Sequence, residues 1–275
     1  MPLFKRHDGT LVSEVSLTRA IMPFIMRTRN ESAVYFEQKL DVTRAHEYIA
    51  KRAAEDGTKL TFFHVYSYAV VQTLGERPRL NRFTSGGNLY QRKEIELGFS
   101  AKKQMDERSP VVVVKRAFDA NDSFDEHVQR VLDAVGEARS PKPNQTDKEL
   151  SIFLSLPRFV LRWGVSLLRW LDSVNLAPAA LIGPDPLYTS VFIANLGSVG
   201  LDAAFHHMYE WGNCPIFAVV GRVHDEVQPD GSTRKFVMVR YTFDERIEDG
   251  LYCARALDRL RKRVERWGEP VDEAP

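Results

Sequence analysis

Hydrophobic positions along this chain recur with two periods, every second residue or every third to fourth, and the segments carrying them are interleaved. Ala33 to Val42 (AVYFEQKLDV) alternates as a half-buried strand, and Thr43 to Ala54 follows as a helix. Thr61 to Leu74 places Phe62, Val65, Tyr66, Ala69, Val70 and Leu74 on a broad helical face. Pro78 and the Gly86-Gly87 pair punctuate a loop, after which Ile95 to Ala101 and Val111 to Val114 read as strands. Ser123 to Ala138 is predicted helical, with Ser123 as N-cap and Glu126 completing a capping box. Further strands are predicted at Tyr188 to Ala194, Ile216 to Val220 and Lys235 to Phe243. Leu251, Ala254, Leu257, Leu260 and Val264 then mark a final helix, with Asp249 and Gly250 at its start, where a carboxylate can cap free N–H groups. This mixed order predicts one α/β domain over residues 1–275, its helices packed on a mixed sheet.

Two segments interrupt the pattern. Arg139 to Asp147 (RSPKPNQTD) is a polar linker with two prolines, read as an insertion loop because strands resume on both sides. Within Leu150 to Leu181, Pro157 suits the first position of a helix, and RFVLRWGVSLLRWLDSV is strongly amphipathic. Arg158, Arg162 and Arg169 cluster on one face, while Phe159, Val160, Trp163, Leu167, Trp170, Leu171 and Val174 cover most of the rest. Such a helix over 157–174 suits a protein interface, a core cover or the headgroup boundary of a membrane.

Composition narrows the class. At 275 residues and 44% hydrophobic content the chain can bury one large core. A formal net charge of +1 gives no electrostatic case for nucleic acid as a partner. Cys214 and Cys253 lie far apart without metal-ligand spacing and read as buried thiols. The start, MPLFKRHDG, lacks a signal-peptide apolar core, and no uncharged run is long enough to span a bilayer. The expectation is a cytoplasmic protein, with peripheral membrane contact through 157–174 as the open alternative.

Several short segments share their order with one known family. Asp244 to Gly250 (DERIEDG) resembles the active-site signature of the acyltransferase core of 2-oxoacid dehydrogenase complexes and of chloramphenicol acetyltransferase, where His holds the second position. Lys59 to Asn81 is similar to the family's helix ending in Pro-x-Leu-Asn, Glu94 to Ala101 to its "vnIGvAv" strand, and Ser109 to Arg116 to its "lvvPvi" strand. Val191 to Gly200 (VFIANLGSVG) resembles "tfTiSNlGmfG", Cys214 to Gly221 resembles "qvaIlgvG", and Arg255 falls on the Arg of "DGa.aaRFl". The resemblance covers roughly residues 15 to 265, and Leu150 to Leu181 has no counterpart in it.

The resemblance implies a two-layer chloramphenicol acetyltransferase-like sandwich with a mixed sheet, assembled as a homotrimer. It places active sites between subunits, in a channel that coenzyme A or an acyl-coenzyme A enters as cosubstrate and whose far end admits the acyl acceptor. No metal takes part. A lipoyl domain of another protein is an implied partner, because no lipoyl domain, hinge or subunit-binding domain is expected before residue 15.

Carried over residue by residue, Asp244, Asp249 and Gly250 match the loop, and Arg19 in LTRAI resembles the "mRkaIA" Arg and is expected to pair with Asp249. Glu245 stands where the catalytic His acts as general base. Ala194 stands where a Ser or Thr hydroxyl stabilises the oxyanion, with Asn195, Leu196 and Gly197 matching after it and Ser198 the nearest hydroxyl. Losing an oxyanion donor costs about 100- to 1000-fold in rate and losing a general base about 100- to 10,000-fold. A free glutamate, near ~4.3, is also a weak base toward a thiol near ~8.5. Two outcomes stay open: acyl transfer with Glu245 as base, or a catalytically inactive pseudoenzyme acting as a trimeric scaffold or ligand-binding protein. His206 and His207, beside Glu210, are candidates for a displaced base, without the further spaced ligand that zinc would need. His64 reads as a core or interface residue.

Overall fold

The computed structural model describes residues 4–102, 111–140 and 155–269. The chain folds into a six-stranded sheet and a small three-stranded one. The elements are β1 (Gly9–Leu11), α1 (Leu17–Ile25), β2 (Ala33–Asp41), α2 (Thr43–Asp56), α3 (Phe62–Glu76), β3 (Arg82–Ser85), β4 (Asn88–Arg92), β5 (Ile95–Lys102), β6 (Val111–Phe118) and α4 (Phe124–Arg139). They continue with α5 (Arg158–Ser173), α6 (Ala179–Ile182), β7 (Val191–Asn195), β8 (Ile216–Val227), β9 (Thr233–Asp244) and α7 (Gly250–Glu265). The large sheet runs β2-β9-β8-β7-β5-β6, with β7 parallel to both its neighbours and the other pairs antiparallel. This is the mixed sheet that the interleaved pattern predicts.

Strand alternation sends the two faces of the sheet into separate apolar clusters. Ile193, Ala218, Val220, Val237 and Val239 join the main core under α3, α4 and α7. Phe192, Phe217 and Val219 point the other way and pack with Ala203 from the irregular segment after β7. The helical layer therefore covers one face, and residues 201–213 cover part of the other. Ser123 caps α4 with the expected box, its hydroxyl accepting from Glu126 N at 3.3 Å while Glu126 Oε2 accepts from Ser123 N at 2.8 Å.

The structure departs from the sequence reading at several places. Gly86-Gly87 is the turn of the β3–β4 hairpin rather than part of an open loop, and both residues hold positive φ that glycine adopts without strain. β8 continues seven residues past its apolar stretch, to Val227, as one arm of a hairpin with β9, because backbone pairing sustains it where burial does not, whereas β9 lies within two residues of its predicted bounds. The buried face of α7 is Cys253, Ala256, Leu260 and Val264, whereas Leu251 is 65% exposed and Ala254 is exposed. The predicted stripe was thus rotated at its N-terminal end. Pro157 is the N-cap of α5 rather than its first residue. Residues 141–147 of the polar linker and 150–154 of the insertion lie outside the described residues. No residue of α1 or α5 is buried, and Trp163 is 76% exposed.

Candidate functional site

β9 pairs with the whole of β2 from Phe236 onward and ends at Asp244, opposite Ala33. Asp244 is 1% exposed and grips Arg246, itself 5% exposed, through a bidentate ion pair of 2.8 Å (Nε to Oδ1) and 2.7 Å (Nη2 to Oδ2). Arg246 N also donates to Asp244 Oδ1 at 3.1 Å, and its Nη1 donates to Met26 O at 3.2 Å. Ile247 is wholly buried in the core. Glu248, 3% exposed, accepts from Asp249 N at 3.1 Å and Arg82 Nη1 at 3.2 Å, and pairs with Arg79 Nε at 3.3 Å and Arg19 Nη2 at 3.7 Å. Asp249 caps α7 by accepting from Tyr252 N at 2.9 Å, and that backbone donor leads in holding its carboxyl below the usual range. Gly250 is the first residue of α7.

Glu245 is the exception in this loop. Its N–H donates to Ser32 O at 2.9 Å and its carbonyl accepts from Arg19 Nη1 at 2.8 Å, which fixes the backbone. The side chain is exposed, and its carboxylate has no hydrogen bond or ion pair among the described residues. The expected Arg19–Asp249 pair is corrected here. Arg19 goes to Glu245 O and Glu248, because Asp249 turns outward to cap the helix. Sequence reasoning missed Arg246 and Glu248. Their sign was a charged residue on each side of Ile247, between a core strand and a core helix.

The segment resembling the oxyanion strand ends at a 3-10 turn, Leu196–Val199. Asn195 Oδ1 caps this turn by accepting from Ser198 N at 3.3 Å, and Ser198 Oγ donates to Asn195 O at 2.7 Å. The nearest hydroxyl is therefore committed to its own turn. Gly197 is required there, since a Cβ would lie 2.3 Å from Gly221 O. Ala194 packs against the second apolar cluster and offers no donor from its side chain. Beside this turn opens a cleft of about 490 Å³, lined among others by Phe63, His64, Phe99, Val131, Asn195 and Ser198. His64 is buried, as expected; Thr61 N donates to its Nδ1 at 3.0 Å, and burial lowers its pKa.

His206 and His207 lie on the sheet face opposite the helices. His206 stacks on Phe217, centroids 3.9 Å apart at 3°, and on His207 at 4.6 Å. Its Nδ1 lies 2.7 Å from His207 O, which can only accept, so the proton sits on Nδ1 and Nε2 keeps its lone pair. Burial is the main cause lowering its pKa and keeping the ring neutral. Glu210 does not join them. It accepts from Arg29 N at 3.2 Å, Asn30 N at 3.2 Å and Asn30 Nδ2 at 2.8 Å, holding the turn before β2.

Sheet register measures how far apart these groups lie. Ala194 pairs with Val219 and Val219 with Arg240, two strands across and five residues short of Glu245. At ~4.8 Å between strands and ~3.3 Å per residue, Ala194 and Glu245 of one protomer are about 19 Å apart. A single protomer does not bring the loop and the cleft together. Among the described residues no group of three or more His, Cys, Asp or Glu could hold a metal, and no helix is long and apolar enough to cross a membrane.

No family model and no curated protein sequence matches the chain. Solved structures do. A probable dihydrolipoamide acetyltransferase from Listeria monocytogenes superposes with a TM-score of 0.61 at 17% identity, over 94% of this chain and 95% of that one. The cubic core of the pyruvate dehydrogenase multienzyme complex gives 0.57 at 18% identity, over 92% and 91%. A chloramphenicol acetyltransferase gives 0.56 at 15% identity, over 95% and 100%. The chain thus has the fold of the 2-oxoacid dehydrogenase acyltransferase cores and of chloramphenicol acetyltransferase, as the colinear motifs implied.

Proposed function

We propose that the protein is an acyltransferase-like homotrimer that binds an acyl-coenzyme A in the cleft beside Asn195, with Glu245 of a neighbouring protomer completing the site. The observation that carries this reading is the isolation of the Glu245 carboxylate. Every other charged side chain of its loop is bonded into the fold, and this one is held at the surface without a partner among the described residues. The ~19 Å gap within one protomer gives the loop no reach to its own cleft, so a second copy must supply it. The similarity to a cubic multienzyme core supports self-association.

In the proposed reaction Glu245 takes the proton of a thiol or hydroxyl acceptor as that atom attacks the thioester carbonyl. The tetrahedral intermediate collapses by breaking the C–S bond, and the coenzyme A thiolate takes the proton back. Two groups limit its rate: a carboxylate base, and an oxyanion position where Ala194 supplies no side-chain donor. His206, neutral with Nε2 free as an acceptor, is the displaced base if Glu245 proves dispensable. A ligand-binding or scaffold role is the second reading, favoured by Ala194 and by Ser198 being bonded within its own turn.

The deciding experiment is calorimetry with a panel of acyl-coenzyme A compounds, followed by turnover of Glu245→Gln. Binding with turnover abolished by that change establishes the enzyme. Binding without turnover establishes the ligand-binding reading, and no binding across the panel removes both in favour of a scaffold.

A further inference from the structure

A second cleft, of about 300 Å³, lies at the opposite end of β7, between the end of α1, the β3–β4 turn and the last turn of α5. Four arginines line it: Arg27, Arg29, Arg169 and Arg246. Two carboxylates also line it, and both are committed elsewhere. Asp172 pairs with Arg6 at 2.7 Å, and Glu210 is occupied by three N–H donors around residues 29 and 30. Arg246 is matched by Asp244.

Arg27, Arg29 and Arg169 make no ion pair with a carboxylate among the described residues. Arg29 is 6% exposed, yet its guanidinium makes one hydrogen bond, Nη1 donating to Cys214 O at 2.8 Å. Burial, and Arg246 beside it, push its pKa down against the pull of Asp244 and Glu210. The Arg27 and Arg169 side chains make no hydrogen bond or ion pair among the described residues. The Tyr188 hydroxyl, on a residue 2% exposed, likewise has no partner and lines the same cleft. A buried cation with most of its donors unused is costly, and an anion that fills them offsets that cost. Guanidinium groups from two segments, Arg27 and Arg29 after α1 and Arg169 on α5, offer more donors than one planar carboxylate can fill and suit a tetrahedral dianion better. At ~30 Å³ per water, the cleft has room for about ten waters, enough for a phosphate and a short organic group.

We propose that this cleft is a binding site for a phosphate monoester, closed on one side by α5. It rests on residues outside the acyl cleft, so its failure would leave the proposed function untouched. The shared chemistry has two sources: a soluble ester, or a lipid headgroup presented beneath the exposed Phe159 and Trp163 of α5.

The test uses the full chain. Inorganic phosphate and glycerol 3-phosphate are titrated at constant ionic strength, by calorimetry and by the fluorescence of Trp211, which lines the cleft. Arg27 and Arg169 are exposed, so the pair R27A/R169A keeps the fold and should weaken affinity at least about ten-fold. Vesicles of phosphatidic acid, against phosphatidylcholine alone, form the second arm. Binding of the soluble esters alone assigns a metabolite, whereas co-sedimentation lost in R27A/R169A assigns a headgroup. No binding in either arm, or binding that R27A/R169A leaves unchanged, overturns the proposal.

Discussion

Replacing Asp244 by Ala should be among the most damaging single changes in the candidate loop. Asp244 and Arg246 are both buried and exchange two short charged hydrogen bonds, with a third from the Arg246 N–H. Removing the carboxylate leaves the Arg246 guanidinium buried with Met26 O as its remaining acceptor. It also takes from Arg29 the negative charge that most opposes its burial. Breaking a buried pair in this one-sided way costs about 3–5 kcal/mol. For a chain of this size each kcal/mol moves the melting temperature by roughly 2–4 °C, so a drop of about 10 °C is expected. Urea unfolding gives the free energy directly. The control is D244A/R246M, which removes the stranded cation and should recover part of the loss, the signature of coupled sites. A loss below about 1 kcal/mol in D244A, or a double variant as unstable as the two single losses added, would show that this pair does not hold the loop.

Three other outcomes follow from the same geometry. Glu245→His with Ala194→Ser should raise acyl transfer from acetyl-coenzyme A to dihydrolipoamide well above either single change, since base and oxyanion hole act together; equal rates in single and double variants contradict the alignment of these positions. Light scattering at micromolar concentration should give three times the chain mass, and a monomer removes any site shared between copies. Burial holds the His127 pKa at about 3, with electrostatic contributions from His64 and Arg130 acting in the same direction, while an unfolded His titrates near ~6.5. Between those values the unfolded chain binds more protons, so stability falls as pH drops through that window, by up to ~1.4 kcal/mol per unit, and His127→Phe should flatten this acid limb.

Much of the fold was legible because burial writes a period into the sequence. α3 and α4 emerged within a residue or two of their observed bounds, and the central strands came from their apolar stretches. The outer half of β8 was hidden because a polar strand held by backbone pairing leaves no hydrophobic alternation. The β3–β4 hairpin buries Phe83, Leu89 and Tyr90, but strands of four and five residues are too short to show a period. The loop frame was legible only through family resemblance. Its internal wiring was not: the Asp244–Arg246 pair spans only two residues but depends on which way each side chain turns, and the Glu248 carboxylate is clamped by Arg79, Arg82 and Arg19 from segments far apart in sequence. The Arg19 partner was misassigned for the same cause: nearness to the loop was implied, but which carboxylate turns inward was not.

The frame of the loop and the residue at its second position answer to different physical demands. Asp244, Arg246, Ile247, Glu248 and Asp249 each carry a bond or contact that the fold needs: a buried ion pair, a core side chain, a clamp on three arginines, a helix cap. Their presence is what stability alone requires, so the DxxxxDG spacing says nothing about turnover. Glu245 and Ala194 are free of that demand, one facing solvent and the other too small to bond. Substitution at these two positions is cheap for the fold and expensive for the chemistry. Any chemistry therefore has to be sought in groups without structural work, and among the described residues of the loop and cleft these include the Glu245 carboxylate and the Nε2 of His64, which lines the cleft with no hydrogen-bond partner.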